Sequence, residues 1–250
     1  MVTRTSGRVS IWWGSPGELA RNCHALHWNH LSEAERASID RFVFAEDRNA
    51  SLLARVMVRH VLTEMTGALP PHAWQFSRTP LGRPTIANPG FESLRFSISH
   101  TRSLVVCAVA AQGELGVDIE SLERQVPIEL ADHYFTSEEA EDVRSTPAVQ
   151  RARRFLEYWT LKEALLKARG LGLMVPLESF SFHFGDQNQV EVAFSDAPPL
   201  ASEDPARWRF HSGEIAPSHV LAVACAPTGG EPLEVRFQAV GPLLLGGIPC

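Results

Sequence analysis

Two long amphipathic segments, each closed by a glycine, place the strongest constraint on how this chain of 250 residues folds. Apolar residues recur with helical spacing over about 45–65 and 148–169, and Gly67 and Gly170 supply the stops. After each helix come a loop with glycine and proline and then strands. Because helices and strands do not alternate strictly, this order favours an α+β fold over a doubly wound parallel sheet.

Short apolar or alternating runs around these helices predict strands. They are Val9–Trp13, Phe96–Ser99, Leu104–Ala110, Leu115–Ile119, Phe180–Phe184 and Val220–Ala226. We expect two similar halves, 1–112 and 113–227. The remaining residues, 228–250, contain two glycine pairs and several prolines. We expect this tail to be loosely ordered.

Composition limits the partners and the compartment of the chain. Its apolar runs are far shorter than the roughly 20 residues that a membrane helix needs, and its start lacks the apolar segment of a signal peptide. Four scattered cysteines without CxxC spacing are typical of reduced thiols. The net charge of −6 argues against broad nucleic-acid binding. We expect a cytoplasmic protein without a nucleic-acid or membrane partner.

The run Gly116–Glu120 carries two carboxylates, two residues apart. On a strand, Asp118 and Glu120 would share one face while Val117 and Ile119 enter the core. Such a pair would suit part of a magnesium shell, which combines one or two carboxylates with water and phosphate oxygens. The alternative is the solvent-facing edge of an ordinary amphipathic strand.

The second long helix brings a tryptophan and two charged residues to one face. At 100° per residue, Trp159, Glu163 and Lys167 align, whereas Lys162 lies about 100° round the helix. We therefore rank Lys162 below Lys167 as a phosphate ligand. The alternative is an ordinary Glu–Lys pair that stabilises the helix by about 0.3–0.5 kcal/mol.

Two further segments of the first half carry groups that suit phosphate. One strand ends in Ser99, His100 and Thr101, whose side chains would either bind phosphate or cap a turn. Arg78 and Arg83 flank a turn with glycine and proline. Arginine suits bidentate phosphate recognition, although two loop arginines are more often simply solvated.

In order and spacing, these four motifs resemble the Sfp-type 4'-phosphopantetheinyl transferases. The resemblance runs over about 31–226, and its most specific parts are Gly116–Glu120 and Trp159–Lys167. Family members move the phosphopantetheine arm of coenzyme A onto a serine of a carrier protein, release 3',5'-ADP and require magnesium. The implied fold is α+β, a pseudo-two-fold pair of similar α/β subdomains, each a small, mainly antiparallel sheet packed on a long helix.

The resemblance also implies different roles for the two halves. Residues 1–112 would bind coenzyme A, and 113–227 would hold the metal and the catalytic residues. Asp118, Glu120 and Glu163 would bind Mg²⁺, for which Mn²⁺ could substitute. Lys167 would stabilise the leaving 3',5'-ADP. The side chains that would contact coenzyme A are those of Arg78, Arg83, Pro84, Ser99, His100 and Lys167.

A serine nucleophile needs a base within hydrogen-bond reach, and three candidates stay open. They are Glu163 with metal assistance, which we favour, Glu139, which matches a carboxylate discussed as base in this family, and a metal-bound water. Glu139 also fits the capped, acidic first turn of a helix.

The chain departs from the family pattern before the first long helix. Glu35 and Ser38 stand where relatives often place lysine or arginine, so another residue must contact the 3'-phosphate, with Arg36 or Arg41 as candidates. Arg83 replaces the more frequent lysine of a Gly-Lys-Pro motif, which keeps the charge but not its geometry.

Carrier proteins of fatty acid, polyketide or nonribosomal peptide pathways would be transient partners with an acidic surface. A basic patch should steer them, and Arg151, Arg153 and Arg154 are the candidates, unless they form an ordinary solvated helix start. Because the two halves complete the site within one chain, we expect a monomer.

Two rival hypotheses remain. A non-catalytic module that binds carrier proteins or coenzyme A would have little reason to keep Asp118, Glu120, Glu163 and Lys167 together. A metal-dependent phosphohydrolase would use the same carboxylates but would not explain the matches at Ser99-His100 and Arg83-Pro84.

The segment with Cys23, His24, His27 and His30 resembles a metal cluster at helical spacing. We favour an ordinary packed helix there, since nothing downstream in the sequence pairs with it.

Overall fold

The computed structural model describes residues 7–18, 24, 27–185, 189–195, 199–216 and 218–244. Its helices are α1 (Glu33–Asp40), α2 (Ala45–Thr66), α3 (Ala131–Tyr134), α4 (Ser137–Ser145), α5 (Ala148–Arg169) and α6 (Gly241–Leu244). Its strands are β1 (Arg8–Gly14), β2 (Phe76–Arg78), β3 (Pro84–Ile86), β4 (Arg95–His100), β5 (Val105–Ala110), β6 (Glu114–Ser121), β7 (Phe180–Phe184), β8 (Val190–Phe194), β9 (Arg209–Glu214), β10 (His219–Ala226) and β11 (Glu234–Ala239). Both long helices and all six predicted strands are present.

In the first half, a four-stranded sheet packs against α2. The strand order is β11-β1-β5-β4, with antiparallel pairing of β1 to β5 and of β5 to β4. The buried face of α2, which includes Leu53, Met57 and Val61, joins Phe96 and Val109 of the sheet in one core. The apolar positions that predicted this helix are therefore those that pack on the sheet.

The prediction of a loosely ordered tail is wrong for residues 234–244. Strand β11 pairs in parallel with β1 over six residues, from Arg8 opposite Glu234 to Trp13 opposite Ala239. Val240 and Leu244 are buried in the core of the first half. Most side chains of β11 are exposed. Backbone hydrogen bonds to β1 therefore hold this edge strand in place. The prediction rested on glycine and proline content, which does not indicate such pairing.

In the second half, α5 packs on an antiparallel sheet with the order β6-β10-β9. Gly116 on β6 allows a very close approach, because a Cβ atom there would lie 1.9 Å from the carbonyl oxygen of Ala164 and 2.5 Å from the amide nitrogen of Ala168. Only glycine fits that contact. It brings α5 and its charged side chains directly over β6.

The two halves share a third core. Val9 and Val106 of the first sheet pack with Val117 and Val223 of the second. At this junction the Val117 N–H donates to the Ser97 hydroxyl at 3.1 Å. These contacts confirm the predicted α+β arrangement of two small sheets, each with its own long helix. Within the described ranges, no helix is long and apolar enough to cross a membrane.

Candidate active site

Strand β6 and helix α5 bring the three predicted metal ligands to one place. Asp118 and Glu120 project from β6, and Glu163 comes from α5, which Gly116 holds close. The negative charges of Asp118 and Glu120 both act on the carboxyl of Glu163. The motifs Gly116–Glu120 and Trp159–Lys167 therefore form one electrostatic cluster in the structure.

Asp118 is the best-connected member of this cluster. The Ser99 hydroxyl donates to Asp118 Oδ1 at 2.7 Å, and Lys167 Nζ donates to the same oxygen at 2.7 Å. Lys167 Nζ also donates to Ser99 Oγ at 3.0 Å and to the Val117 carbonyl at 3.2 Å. Ser99 lies on β4 of the first half, so this network spans both halves of the chain.

Glu120 and Glu163 are both harder to ionise than ordinary glutamates. Burial, followed by the charge of Asp118, raises the pKa of Glu163. Burial also raises the pKa of Glu120, although a hydrogen bond from Arg124 opposes the shift. Three carboxylates close to one another repel, and a cation relieves that repulsion.

The donor set of this cluster fits a hard divalent cation. Carboxylate oxygens are the ligands that Mg²⁺ prefers, together with water and phosphate oxygens. An ammonium group, Lys167 Nζ, already lies against Asp118.

A cavity of about 750 Å³ opens in the first half between α1, α2 and the β2–β3 hairpin. Its charged lining comprises Arg55, Arg59, Arg78 and Glu35. Arg59 is paired with Glu35 at 2.7 Å, so two of the three guanidiniums lack a carboxylate partner among these residues. A cavity with such an excess of positive charge suits a phosphate-bearing ligand.

The sequence analysis assigned no ligand role to Arg55, although the helix that carries it is part of the family resemblance. Its guanidinium donates to the Ser51 carbonyl at 3.0 Å and lies 3.5 Å from the Ser38 hydroxyl. Arg55 thus faces one of the two positions at which the chain departs from the family pattern. Arg36 and Arg41 do not line the cavity. The spacing of Arg55 and Arg59, one helical turn apart, is the sequence signal that could have indicated it.

A smaller cavity of about 260 Å³ connects this region to the second half. It shares Pro84, Phe96 and Ile98 with the larger cavity and reaches Lys167. The charges of Lys167 and Arg55, and those of Asp47 and Asp118, all act on the ring of His100. Partial burial and the charge of Lys167 lower the pKa of His100. The ring is therefore neutral at pH 7.

The structure places the two predicted loop arginines differently. Arg78 lines the large cavity, is exposed, and donates to the Gly82 carbonyl at 2.8 Å. Arg83 bridges the halves instead, because it donates to the Ala168 carbonyl at 2.6 Å and to the Leu115 carbonyl at 3.2 Å. One carbonyl of α5 and one of β6 thus engage Arg83, while its side chain also lines the smaller cavity.

Glu139 is partnered with Lys162 rather than with the carboxylate cluster. The two charged groups lie 2.8 Å apart and expose 1% and 0% of their side chains. Glu139 also accepts hydrogen bonds from the Thr136 N–H at 3.0 Å and the Phe182 N–H at 2.8 Å. A general base must reach the proton that it removes, and this carboxylate is enclosed and fully hydrogen-bonded.

The predicted basic patch at the start of α5 is largely neutralised. Arg153 pairs with Glu157 at 3.0 Å and also contacts Glu214. Arg154 pairs with Glu157 at 3.1 Å and with Asp142 at 3.3 Å. Arg151 donates to the Thr146 carbonyl. These carboxylates remove most of the excess positive charge on which the prediction depended.

Known families match both halves of the chain. The model of the 4'-phosphopantetheinyl transferase superfamily matches residues 114–224, and that of the 4'-phosphopantetheinyl transferase N-terminal region matches 19–112. The 4'-phosphopantetheinyl transferase Sfp of Bacillus subtilis is 30% identical over 214 residues, which are 86% of this chain and 90% of the relative. This chain belongs to the 4'-phosphopantetheinyl transferases.

Two further relatives agree with that assignment. The 4'-phosphopantetheinyl transferase HetI of a Nostoc species is 33% identical over 206 residues, which are 81% of each chain. The 4'-phosphopantetheinyl transferase psf-1 of Bacillus pumilus is 30% identical over 206 residues, 82% of this chain and 83% of the relative. The predicted family and transferase class are confirmed, and nothing favours the non-catalytic alternative.

Proposed function

We propose that this transferase moves the phosphopantetheine arm of coenzyme A onto a serine hydroxyl of an acyl or peptidyl carrier protein and releases 3',5'-ADP. The observation that carries this proposal is a cationic cavity joined, through Pro84, Phe96 and Ile98, to an acidic cluster with one lysine. A pyrophosphate-containing substrate needs cations along its length, and a reacting phosphoryl group needs a metal at one point.

In this proposal the first half binds the nucleotide of coenzyme A. Arg55 and Arg78 lack a carboxylate partner in the large cavity and are available to its phosphates. We assign the 3'-phosphate to Arg55, which lies beside Ser38, where the family pattern would place a basic residue. His100, on which the charges of both Arg55 and Lys167 act, and the hydroxyl of Ser99 would add hydrogen-bonding capacity for the pyrophosphate. Pro84 lines both cavities.

The second half carries out the reaction. Asp118, Glu120 and Glu163 would hold Mg²⁺ or Mn²⁺, which when bound would polarise the pyrophosphate and neutralise developing negative charge. The serine oxygen of the carrier forms the new bond to the phosphorus atom of the phosphopantetheine arm. The bond from that phosphorus to the bridging oxygen breaks, and 3',5'-ADP leaves with the electron pair, stabilised by Lys167.

The serine proton needs an acceptor, and we assign it to Glu163. Glu163 lies within the carboxylate cluster at which the reaction would take place. Glu139 is excluded from this role in our proposal, because Lys162 and two backbone amides already engage it.

One chain supplies every residue of the proposed site, from Ser99 on β4 to Lys167 on α5. This arrangement supports a monomer as the active unit. Cys107 and Cys225 are free, buried thiols, which supports a reducing compartment such as the cytoplasm.

The test is the intact mass of an apo carrier protein after incubation with this protein, coenzyme A and magnesium. We expect a gain of one phosphopantetheine group, abolished by chelator and by Glu163→Gln. Glu157→Gln, on the same helix but paired with Arg153 and Arg154, is the matched control and should keep the activity. The proposal is overturned if neither acyl nor peptidyl carriers gain mass, or if Glu163→Gln and Glu157→Gln behave alike.

A further inference from the structure

Three histidines converge in the first half, away from the carboxylate cluster. His27 and His30 precede α1, and His60 lies on α2. One ring nitrogen of each lies within 4.8 Å of the other two. Among the described residues, this is the one group of three histidine, cysteine or acidic side chains that meets this limit.

The hydrogen bond of His27 fixes which of its nitrogens is free. Its Nε2 lies 3.1 Å from the carbonyl oxygen of Leu244, which can only accept, so Nε2 carries the proton. The other nitrogen, Nδ1, therefore has a lone pair, and it faces Nε2 of His60 at 3.2 Å. Histidines that bind metals commonly donate their second N–H to a backbone carbonyl in this way.

His30 adds a second observation that indicates a ligand. Its Nδ1 is buried and has no hydrogen-bond partner within the described residues. A buried polar atom without a partner is costly, and an ion bound there would remove that cost. All three rings are predominantly neutral at pH 7, the form that binds metals, since burial lowers the pKa of His27 and His30, and that of His60 to about 4.

We propose that His27, His30 and His60 form a binding site for a divalent transition-metal ion of the zinc class. Three imidazoles suit Zn²⁺ or Co²⁺, with water in the remaining position, whereas Mg²⁺ favours oxygen ligands. The site is therefore chemically distinct from the carboxylate cluster, and it does not depend on the proposed transferase mechanism.

The ion would link three distant parts of the chain. It joins the turn at His27 and His30 to α2 through His60. Through the bond from His27 to Leu244, it also fixes the orientation of α6, the helix that the sequence analysis expected to be loosely ordered. His30 also lines the large cavity, so the ion would stiffen one wall of it.

Only two residues of the sequence motif Cys23, His24, His27 and His30 belong to the proposed site. His24 stacks on Trp28, with ring centroids 4.5 Å apart, rather than joining the group. Cys23 lies outside the described residues. The missing partner is His60, 33 residues after His27. Contrary to the expectation that nothing downstream pairs with the motif, α2 supplies that partner through its packing.

The experiment counts metal in untagged protein that is stripped with chelator and dialysed against Zn²⁺ or Co²⁺. An Asp118→Asn/Glu163→Gln background removes the contribution of the carboxylate cluster. We expect a single bound ion per chain, intense visible absorption typical of four-coordinate cobalt, and a higher melting temperature with Zn²⁺. His27→Gln and His60→Gln should weaken binding at least tenfold, while His133→Gln, at an exposed histidine of α3, should not.

Two results would overturn the proposal. If the stripped protein takes up no ion from micromolar Zn²⁺, the three rings form only a hydrogen-bonded relay from His60 through His27 to Leu244. If the histidine variants bind as much metal as their background, the ion lies elsewhere. Circular dichroism checks the fold of each variant, and the partly exposed His30→Gln replaces any that does not fold.

Discussion

The long helices α2 and α5 allow a direct comparison of the two halves. Each has 22 residues, packs on a largely antiparallel sheet, and ends at a glycine in the left-handed region, Gly67 at φ 62° and Gly170 at φ 68°. Their functional faces differ in charge. Helix α2 directs Arg55 and Arg59 to a cavity, whereas α5 holds Glu163 and Lys167 over the acidic strand β6.

The difference shows that the shared architecture positions side chains without dictating their chemistry. Each helix also buries one cation with a glutamate, Arg59 with Glu35 and Lys162 with Glu139. The pair in the second half is enclosed, while the Glu35 side chain is 23% exposed at the cavity. The second half is therefore built around a fixed internal charge pair, and the first half keeps its charges at a binding surface.

The largest expected effect distinguishes these two ion pairs. Lys162→Met should lower the free energy of unfolding by about 3–5 kcal/mol, because it leaves the carboxylate of Glu139 buried without its cation. Arg59→Met should cost clearly less, since the Glu35 carboxylate that it leaves without a cation is partly solvated. Urea unfolding followed by circular dichroism measures both values.

The matched control is Lys162→Met with Glu139→Gln, which removes both charges, keeps an acceptor for the Thr136 and Phe182 amides, and should recover much of the stability. Equal losses for Lys162→Met and Arg59→Met would remove the contrast between the halves. Folded Glu139→Gln protein should also keep its kcat for carrier modification. A loss of kcat there, at unchanged fold, would return Glu139 to the list of candidate bases.

The next effect separates a catalytic contact between the halves from a structural one. Lys167→Met should lower kcat by about 10²–10³-fold, the usual cost of removing a group that stabilises developing charge. Arg83→Met removes two hydrogen bonds to carbonyls of the second half and should mainly lower stability. Steady-state kinetics and thermal melting of both variants would contradict this assignment if Arg83→Met showed the larger loss of kcat.

A smaller effect concerns pH, and it should have opposite sign in the two halves. Burial and Asp118 raise the pKa of Glu163, so without metal the protein should lose stability as pH rises through that pKa. Burial opposes ionisation of Glu35, but hydrogen bonds from Ser32 and the charge of Arg59 lower its pKa overall. Its contribution should be lost as pH falls through that lowered pKa.

Thermal melting of metal-free variants across pH checks both signs. Near neutral pH, Glu163→Gln should raise the melting temperature, by about 2–4 °C for each kcal/mol gained, and the gain should vanish in acid. Glu35→Gln should lower the melting temperature near neutral pH and approach the parent in acid. Shifts of the same sign for both variants would show that the two carboxylates do not differ as described.

The sequence predicted the features that depend on local pattern. The helices α2 and α5 and six strands follow from apolar periodicity. The proximity of Asp118 to Glu163 follows from the family motifs. Gly116 stands in one of those motifs, yet its 1.9 Å approach to α5 depends on two elements packing together. Such contacts have no signature in the spacing of residues along the chain.

The features that escaped prediction are likewise contacts between distant segments. Arg55 meets Ser38 across two helices, Lys162 meets Glu139 from α4, and β11 returns to pair with β1. The sequence analysis included Glu139 as a candidate base because it matches a carboxylate discussed as base in this family, whereas its environment is set by a lysine 23 residues later. The burial of such a group and its partners in the folded chain decide its role, and its position in a sequence motif does not show them.

The central claim is that the first half binds coenzyme A and the second half reacts. The most direct test is the single-turnover rate of carrier modification by Arg55→Met and Glu163→Gln as the coenzyme A concentration rises. The account predicts that Arg55→Met reaches the wild-type rate at saturation, with a higher half-saturating concentration, while Glu163→Gln stays slow at every concentration. Recovery of both variants at high coenzyme A, or a persistently slow Arg55→Met, would contradict it.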